Sequence, residues 1–258
     1  FSLQGRSGGG GGAAVGTIVD AGGSDAKFFF KSTGISGFDM LNAEYVGVKE
    51  MAKTTTVRVP EPVCVGTSAS NAFLVFEYLN MGRGGGAGGA AEFGRQLARM
   101  HRCTSANEKY GFHLDNTCGA TPQPNSWMDS WADFYDERRL GHMLRLCARG
   151  GATYPREAEL RQKVLSAGKV HEILSKHETV PSLCHGDLWS GNAAYADGVP
   201  CIFDPSTYYG DREVDIAMTQ MFGRQPPAFY EAYNEEWPLP PGHEQRVQIY
   251  NLYHKLNH

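Results

Sequence analysis

No apolar run in this chain approaches the roughly 20 residues a bilayer span requires, and no basic-then-apolar leader opens it. The expectation is a soluble protein with no membrane partner, although a start at Phe1 instead of Met leaves room for a removed targeting segment. The six cysteines, at 64, 103, 118, 147, 184 and 201, form no Cys-x-x-Cys pair. That argues against a disulfide scaffold or a zinc site and for a reducing compartment with thiols as small core residues. The nine histidines are equally dispersed, none in a recognisable metal-ligand spacing. A basic surplus is missing too: 24 Lys+Arg against 28 Asp+Glu leaves −4. Nucleic acid is a poor partner for such a chain, and a small substrate a better one. What is present, 258 residues with 41% hydrophobic and 20% charged, suffices for one large domain or two lobes.

The segment that states a chemistry is His185-Gly186-Asp187-Leu188-Trp189-Ser190-Gly191-Asn192, followed twelve residues later by Asp204 in Ile202-Phe203-Asp204-Pro205. Moving the γ-phosphoryl of ATP to a hydroxyl needs a carboxylate to orient the nucleophile and take its proton, plus oxygen ligands for Mg²⁺. Asp187 suits the first task, Asn192 and Asp204 the second, because Mg²⁺ prefers oxygen and keeps several waters. Four residues between Asp187 and Asn192 make a tight loop, and Val199 to Phe203 reads as a short strand that delivers Asp204. Taken alone, His-Gly-Asp is equally an ordinary turn, Asn192 a turn residue and Asp204 a cap.

Glycine is abundant where phosphates would need backbone amides. Gly8, Gly9, Gly10, Gly11 and Gly12 precede Val15 to Val19, a turn at Ala21 to Ser24, and Lys27-Phe28-Phe29-Phe30-Lys31, so a glycine loop leads into a β-hairpin. A flexible linker is the competing account of the glycines, and a snorkelling strand-end lysine that of Lys31. Phe38, Leu41, Tyr45, Val48 and Ala52 then recur at helical spacing, with Ser36 as the expected N-cap. Glu44 lies beside that stripe, where a free carboxylate is costly, and Lys31 is its natural partner. The alternative for Glu44 is a solvated helix edge.

Val63 to Val65 and Ala72 to Leu79 read as strands, and Gly82 to Gly89 as a stretch that neither strand nor helix tolerates. The expected organisation is a strand-rich unit over 1–80 and a mostly helical unit over 81–258. Helices are expected from Glu92 to Arg102, between Trp127 and Ala148, within Glu157 to Lys176, at Val214 to Met218, and from His243 to Leu256. The last reaches almost to the final residue without a stop signal, so the ordered region is expected to end early.

Together with Phe29-Phe30-Lys31, Met40 to Glu44, Phe76 to Leu79, Asn116 to Gln123, Glu137 to Leu140, Tyr209-Gly210-Asp211-Arg212-Glu213 and Leu252 to His258, these motifs resemble the fructosamine-3-kinase (ketosamine-3-kinase) family. Trp189 in its loop and the Tyr-Gly-Asp-Arg-Glu run are the more diagnostic parts. The resemblance implies an α+β, bilobal, protein-kinase-like fold of the aminoglycoside phosphotransferase type. It further implies ATP- and Mg²⁺-dependent phosphorylation of the 3-hydroxyl of ketosamines on glycated proteins or free, a protein-repair step. It makes Asp187 the base, Asn192 and Asp204 the Mg²⁺ ligands, Lys31 and Glu44 the phosphate-positioning pair, and Glu77-Tyr78-Leu79 the adenine linker. Trp189 becomes a wall of the sugar site or a packing residue of the loop, and Asp215 a brace for that loop.

Two departures stand out: the glycine loop lacks the cysteine many members carry, and Ser32-Thr33 follows Lys31 where members commonly have x-Asn. Regulation through that thiol is therefore not expected. A monomer or homodimer in the cytoplasm, or in an organelle such as the chloroplast, is consistent with the chain. Two other functions stay open: a small-molecule kinase of the aminoglycoside or choline type, which should line its acceptor site with acidic residues, and an inactive binding module, which should have lost Lys31, Asp187 or Asp204.

Overall fold

The computed structural model describes residues 2–8, 13–19, 26–82, 84–149 and 168–258. Five antiparallel strands form the first sheet: β1 (Ser2–Gly8), β2 (Ala14–Val19), β3 (Lys27–Gly34), β4 (Pro62–Thr67) and β5 (Asn71–Glu77), in the order β1-β2-β3-β5-β4. The expected strand pairing is there, with Val15 opposite Lys31 and Thr17 opposite Phe29, while the expected turn at Ala21 to Ser24 lies outside the described residues. β1 was not foreseen, because Leu3 is the one apolar residue in Ser-Leu-Gln-Gly-Arg-Ser-Gly and no alternating pattern forms; its partner strand supplies the pairing. Of the glycine run, Gly8 closes β1 opposite Ala14, while Gly9, Gly10, Gly11 and Gly12 lie outside the described residues.

Side chains alternate across a strand, so Phe29 and Lys31 share the face of β3 that looks onto the cleft described below. Helix α1 (Phe38–Lys53) packs beside it, burying Leu41, Ala43, Gly47, Val48 and Met51. Ser36 is not its N-cap. Ile35–Gly37 form one 3-10 turn that runs directly into the helix, and Gly37 occupies the cap without any side-chain hydrogen bond.

β5 ends at Glu77, earlier than the apolar run suggested, and Met81–Gly82 form a two-residue strand β6. The glycine-rich stretch after it is also not the structureless break expected, because α2 (Gly86–His101) begins inside it. Gly85 takes the N-cap, where glycine is only a few tenths of a kcal/mol worse than the best capping residues, and burial of Ala90, Phe93 and Leu97 offsets the backbone entropy of the glycines that follow. Gly89 adds a packing reason, since a Cβ would lie 2.9 Å from the Tyr195 ring.

The chain continues through the hairpin β7 (Asn116–Cys118) and β8 (Thr121–Gln123). A continuous helical stretch follows, from α3 (Trp131–Phe134) through a wider π turn over Tyr135–Leu140 to α4 (Gly141–Arg149). Next come α5 (Lys169–Ser175), β9 (Ser182–Cys184), the hairpin β10 (Ala193–Ala196) and β11 (Val199–Ile202), and β12 (Tyr208–Gly210). The chain closes with α6 (Glu213–Met218), α7 (Pro227–Glu236) and α8 (His243–Asn257). Helix α7 was missed because Pro227 at its first position and the prolines around it mask a short amphipathic run, whereas Pro is well tolerated at N1.

One apolar core joins α1 and β5 to α2 and α7 through Leu41, Leu74, Phe76, Phe93, Leu97 and Phe229. A second, aromatic core holds Trp131, Phe134, Tyr135, Tyr208, Tyr250 and Tyr253 together. Among the described residues no helix is long and apolar enough to cross a membrane, and all six cysteines are free thiols.

Candidate active site

The loop from His185 to Asn192 connects β9 to β10, and β11 returns the chain to Asp204. Asp187 and Asp204 thus stand on two neighbouring loops. The close approach depends on Gly186, which has φ +81° and where a Cβ would lie 2.2 Å from Ser206 O. Ser206 N–H in turn donates to His185 O at 2.8 Å. Asp204 holds a left-handed φ of +56°, a conformation of a kind that costs a non-glycine residue about 1–3 kcal/mol and persists where its surroundings fix it.

A buried carboxylate braces the first loop. Asp215, on α6 and fully buried, accepts from His185 N (2.7 Å), Gly186 N (2.8 Å) and His101 Nε2 (3.1 Å). Burial opposes its charge, yet these hydrogen bonds and the neighbouring imidazoles hold it below the usual aspartate range. His185 donates from Nε2 to Phe203 O (2.9 Å), so its Nδ1 accepts from Asp187 N–H (3.2 Å). The network assigns that tautomer, and burial keeps the ring neutral by lowering its pKa.

Lys31 and Glu44 meet, as the sequence suggested, at 2.8 Å, and the same ammonium reaches Asp204 Oδ1 at 2.6 Å. Burial opposes the lysine charge, but the two carboxylates outweigh it and raise its pKa. One cation cannot compensate both acids: burial pushes Glu44 up despite Lys31, and Asp204 adds to that. Asp187 lies a short way off, pushed up to about 7 by burial and the charge of Asp215, against a hydrogen bond from Asn192. Asn192 Nδ2 donates to Asp187 O at 2.9 Å, with longer contacts to Asp187 Oδ2 (3.3 Å) and Asp204 O (3.4 Å).

Lys31, Glu44, Asp187, Trp189, Asn192 and Asp204 line one cleft of about 390 Å³, and Ala13, just after the glycine run, enters it too. Asp204 also borders a second, more apolar pocket of about 310 Å³ lined by Phe29, Phe76, Glu77, Tyr78, Leu79, Met81 and Phe203. The Glu77 carboxylate turns away to Arg58 (2.9 Å). A third pocket of about 240 Å³ opens on the other side of Asp187, between Trp189, Met218, Phe222, Cys118, His254 and His258. Trp189 is 39% exposed, meets Phe222 edge-on at 6.3 Å, and lines both the cleft and this third pocket. Burial pushes His254 down to about 4, and burial with the charge of Asp187 pushes Cys118 up to about 12.

Sequence reasoning gave no role to the amide network beneath the Asp204 loop. Asn116 donates to Thr207 O (2.8 Å), and Gln123 donates to Asn116 Oδ1 (2.8 Å) and Ser206 O (3.1 Å). Asn125 also donates to Asn116 Oδ1 (2.9 Å) and accepts from Arg139 (2.7 Å). Arg139 is fully buried, with its guanidinium 4.0 Å from the Tyr208 ring centre and 4.6 Å from that of Phe134. Asn116, Gln123 and Arg139 fall in stretches that carried the family resemblance, which was the available signal.

Comparison with known proteins comes out on one side. The profile of the fructosamine kinase family matches residues 3–258. A probable ketoamine kinase of Synechocystis sp. is 46% identical over 235 residues, 91% of this chain and 77% of that protein. The chloroplastic protein-ribulosamine 3-kinase of Arabidopsis thaliana is 38% identical over 241 residues, 91% of this chain and 71% of the relative. The crystal structure of a candidate fructosamine-3-kinase from Haemophilus somnus superposes with a TM-score of 0.87 at 32% identity, covering 100% of this chain and 84% of that one. An aminoglycoside-3'-phosphotransferase of type VIII shares the fold alone, with a TM-score of 0.57 at 17% identity over 99% of this chain and 93% of its own. The architecture is therefore the bilobal, protein-kinase-like α+β fold expected.

Proposed function

Because this chain belongs to the fructosamine kinase family, we propose that its cleft transfers the γ-phosphoryl group of ATP to the 3-hydroxyl of a ketosamine, free or on a glycated protein lysine. The observation that carries the reading is the convergence of Lys31, Asp187, Asn192 and Asp204 on one cleft, with Asp204 shared by the apolar pocket at 77–79.

In this reading adenine enters the apolar pocket against Glu77, Tyr78 and Leu79, and the phosphates run past Asp204 towards Lys31. Glu44 holds Lys31 in place, and a phosphate-binding role is assigned to Gly8 to Gly12. The donor set fits Mg²⁺: Asn192 commits its amide nitrogen to Asp187 O, which leaves Oδ1 to ligate, and Asp204 offers a half-exposed carboxylate. When bound, Mg²⁺ would neutralise charge on the phosphate oxygens. Asp187 orients the acceptor hydroxyl and takes its proton as the oxygen bonds to the γ-phosphorus; the bond to the β-phosphate oxygen breaks and ADP leaves. A pKa near 7 suits a general base. Trp189 forms a wall of the sugar site. Residues 1–80 and 81–258 are taken as the two lobes, with the cytoplasm or a plastid as the working compartment.

Among the described residues, Asp187 is the only acid lining the third pocket. That favours a sugar adduct bearing a single amine over the polycationic acceptor of an aminoglycoside kinase. The presence of Lys31, Asp187 and Asp204 speaks against an inactive module. The test is ATP consumption with ribulose-, erythrulose- or fructose-modified lysine beside choline and aminoglycosides; turnover only with the latter two would sink the reading. A nucleotide complex with adenine away from 77–79 would sink the site.

A further inference from the structure

Spacing in sequence offered no zinc site, yet the fold assembles one set of sulfur, nitrogen and oxygen ligands. Cys118 ends β7, Asp187 lies on the catalytic loop and His254 on α8; their Sγ, carboxylate and ring-nitrogen atoms all lie within 4.8 Å of one another. Cys118 Sγ is 3.9 Å from His254 Nδ1. All three line the pocket between Trp189 and Phe222. We propose that Cys118, His254 and Asp187 form a site for a borderline-soft divalent cation, Zn²⁺, distinct from the Asn192–Asp204 pair.

The ligand types decide the cation. A thiolate and an imidazole suit Zn²⁺ and are poor donors for Mg²⁺, which takes oxygen. Three protein ligands and an open pocket leave a fourth position for water. Zinc–ligand bonds of about 2.0–2.3 Å bring tetrahedral ligands to within about 4 Å of each other, so the set needs only side-chain rotations to close. Binding displaces the Cys118 proton to solvent and forms the sulfur–metal bond, with no change of oxidation state.

A second set, His177, Asp211 and Glu213, has comparable spacing but is already saturated. Arg246 grips both oxygens of Glu213, at 2.7 and 2.8 Å, and Asp211 takes hydrogen bonds from His177, Tyr250 and Glu213 N–H. A cation there would have to displace an arginine. At the Cys118 set the contacts yield more easily: Cys118 Sγ meets neutral partners, Asn257 Nδ2 at 3.5 Å and the Ser206 and Tyr253 hydroxyls beside His254, and Asp187 accepts one long bond from Asn192.

The consequence for activity rests on the reading of Asp187 as the base. A carboxylate bound to Zn²⁺ cannot accept the acceptor's proton, so zinc inhibits turnover while Mg-ATP still binds. The experiment titrates Zn²⁺ against a chromophoric chelator with the full chain, in excess Mg²⁺, for wild type, Cys118→Ser and His254→Gln, with thermal unfolding as the check on folding. One Zn²⁺ per chain is expected in wild type, weakened at least about tenfold in each variant, the scale seen even when only supporting groups are lost. Equal zinc affinity in all three proteins overturns the site. Turnover is followed in parallel, each protein against its own zinc-free rate. Zinc inhibition that persists undiminished in Cys118→Ser also overturns the proposal. If zinc binds as expected without slowing turnover, the same zinc titration on Asp187→Asn decides: weakened zinc binding leaves the site standing and overturns Asp187 as the base, and unchanged zinc binding overturns Asp187 as a ligand.

Discussion

Lys31 and Asp204, 173 residues apart in sequence, meet at 2.6 Å, on the same ammonium that Glu44 holds at 2.8 Å. The lysine therefore bridges the strand that carries it, the helix beside it and the loop that presents Asp204. In the proposed mechanism, nucleotide phosphates take over the Asp204 side of this bridge. Lys31→Met should lower kcat/KM for ATP by at least about 10²-fold, roughly the loss when one charge-stabilising donor is removed from an active site. Glu44→Gln should act in the same direction and less strongly, because the lysine keeps Asp204. Steady-state kinetics with varied ATP measure both; an unchanged KM and kcat in Lys31→Met would remove the lysine from the phosphate site.

Asp187→Asn should abolish turnover, by about 10²–10⁴-fold or more for loss of a general base, while Mg-ATP affinity stays within a few-fold of wild type. Equilibrium nucleotide binding beside single-turnover chemistry separates the two effects. Near-normal turnover would sink the mechanism.

The same aspartate gives a pH dependence. With a pKa of about 7 in the free enzyme, kcat/KM should rise with pH through 7 as Asp187 loses its proton, then level off. Stability should run the other way. Between the ordinary aspartate value and 7 the native state binds the proton more tightly than the unfolded chain, so raising pH through that window destabilises the fold. Asp187→Asn should flatten that fall in a denaturation series across pH. Asp215 has the opposite sign: its pKa is depressed, so its contribution is present above the unfolded value and is lost as pH falls through the folded one.

Gly186→Ala should fail by geometry, not chemistry. A Cβ there would sit 2.2 Å from Ser206 O at a φ of +81°, and the two loops would have to separate. A loss of about 2–4 kcal/mol is expected from strain and displaced backbone contacts. Chemical denaturation reads it directly, and a stability within 0.5 kcal/mol of wild type, about the scatter of surface substitutions, would contradict the packing described.

Arg139 tests the amide network. Arg139→Lys should not rescue Arg139→Met, because an ammonium cannot lie flat against Tyr208 while donating to both Pro124 O and Asn125 Oδ1. Either change should cost about 3 kcal/mol, in the range for a buried charged network broken on one side. Loss of Mg²⁺-dependent nucleotide affinity should accompany it, since the network reaches Ser206 O and Thr207 O just after Asp204.

The sequence by itself determined the chemistry and the local elements that carry it. The tight loop from Asp187 to Asn192, the strand delivering Asp204, the strand pair carrying Lys31 and the helix bearing Glu44 were legible because each rests on short-range periodicity or turn chemistry, although β3 continues past Lys31 to Gly34. Where pairing or packing overrides local preference, the reading ran out. β1 exists through its pairing with β2, α2 begins inside a glycine run, and the 3-10 turn before α1 displaces Ser36 from the cap. Asp215, which the family resemblance made a brace for the first loop, does hold it through His185 N–H and Gly186 N–H, but only the tertiary structure decided that Asn116, Gln123 and Arg139 support the other loop. It also decided that Cys118 and His254 stand beside Asp187. The physical reason is the same throughout: such contacts join residues far apart in the chain, and burial, which gives a carboxylate, an amide or a thiol its altered chemistry, is set by what packs around it.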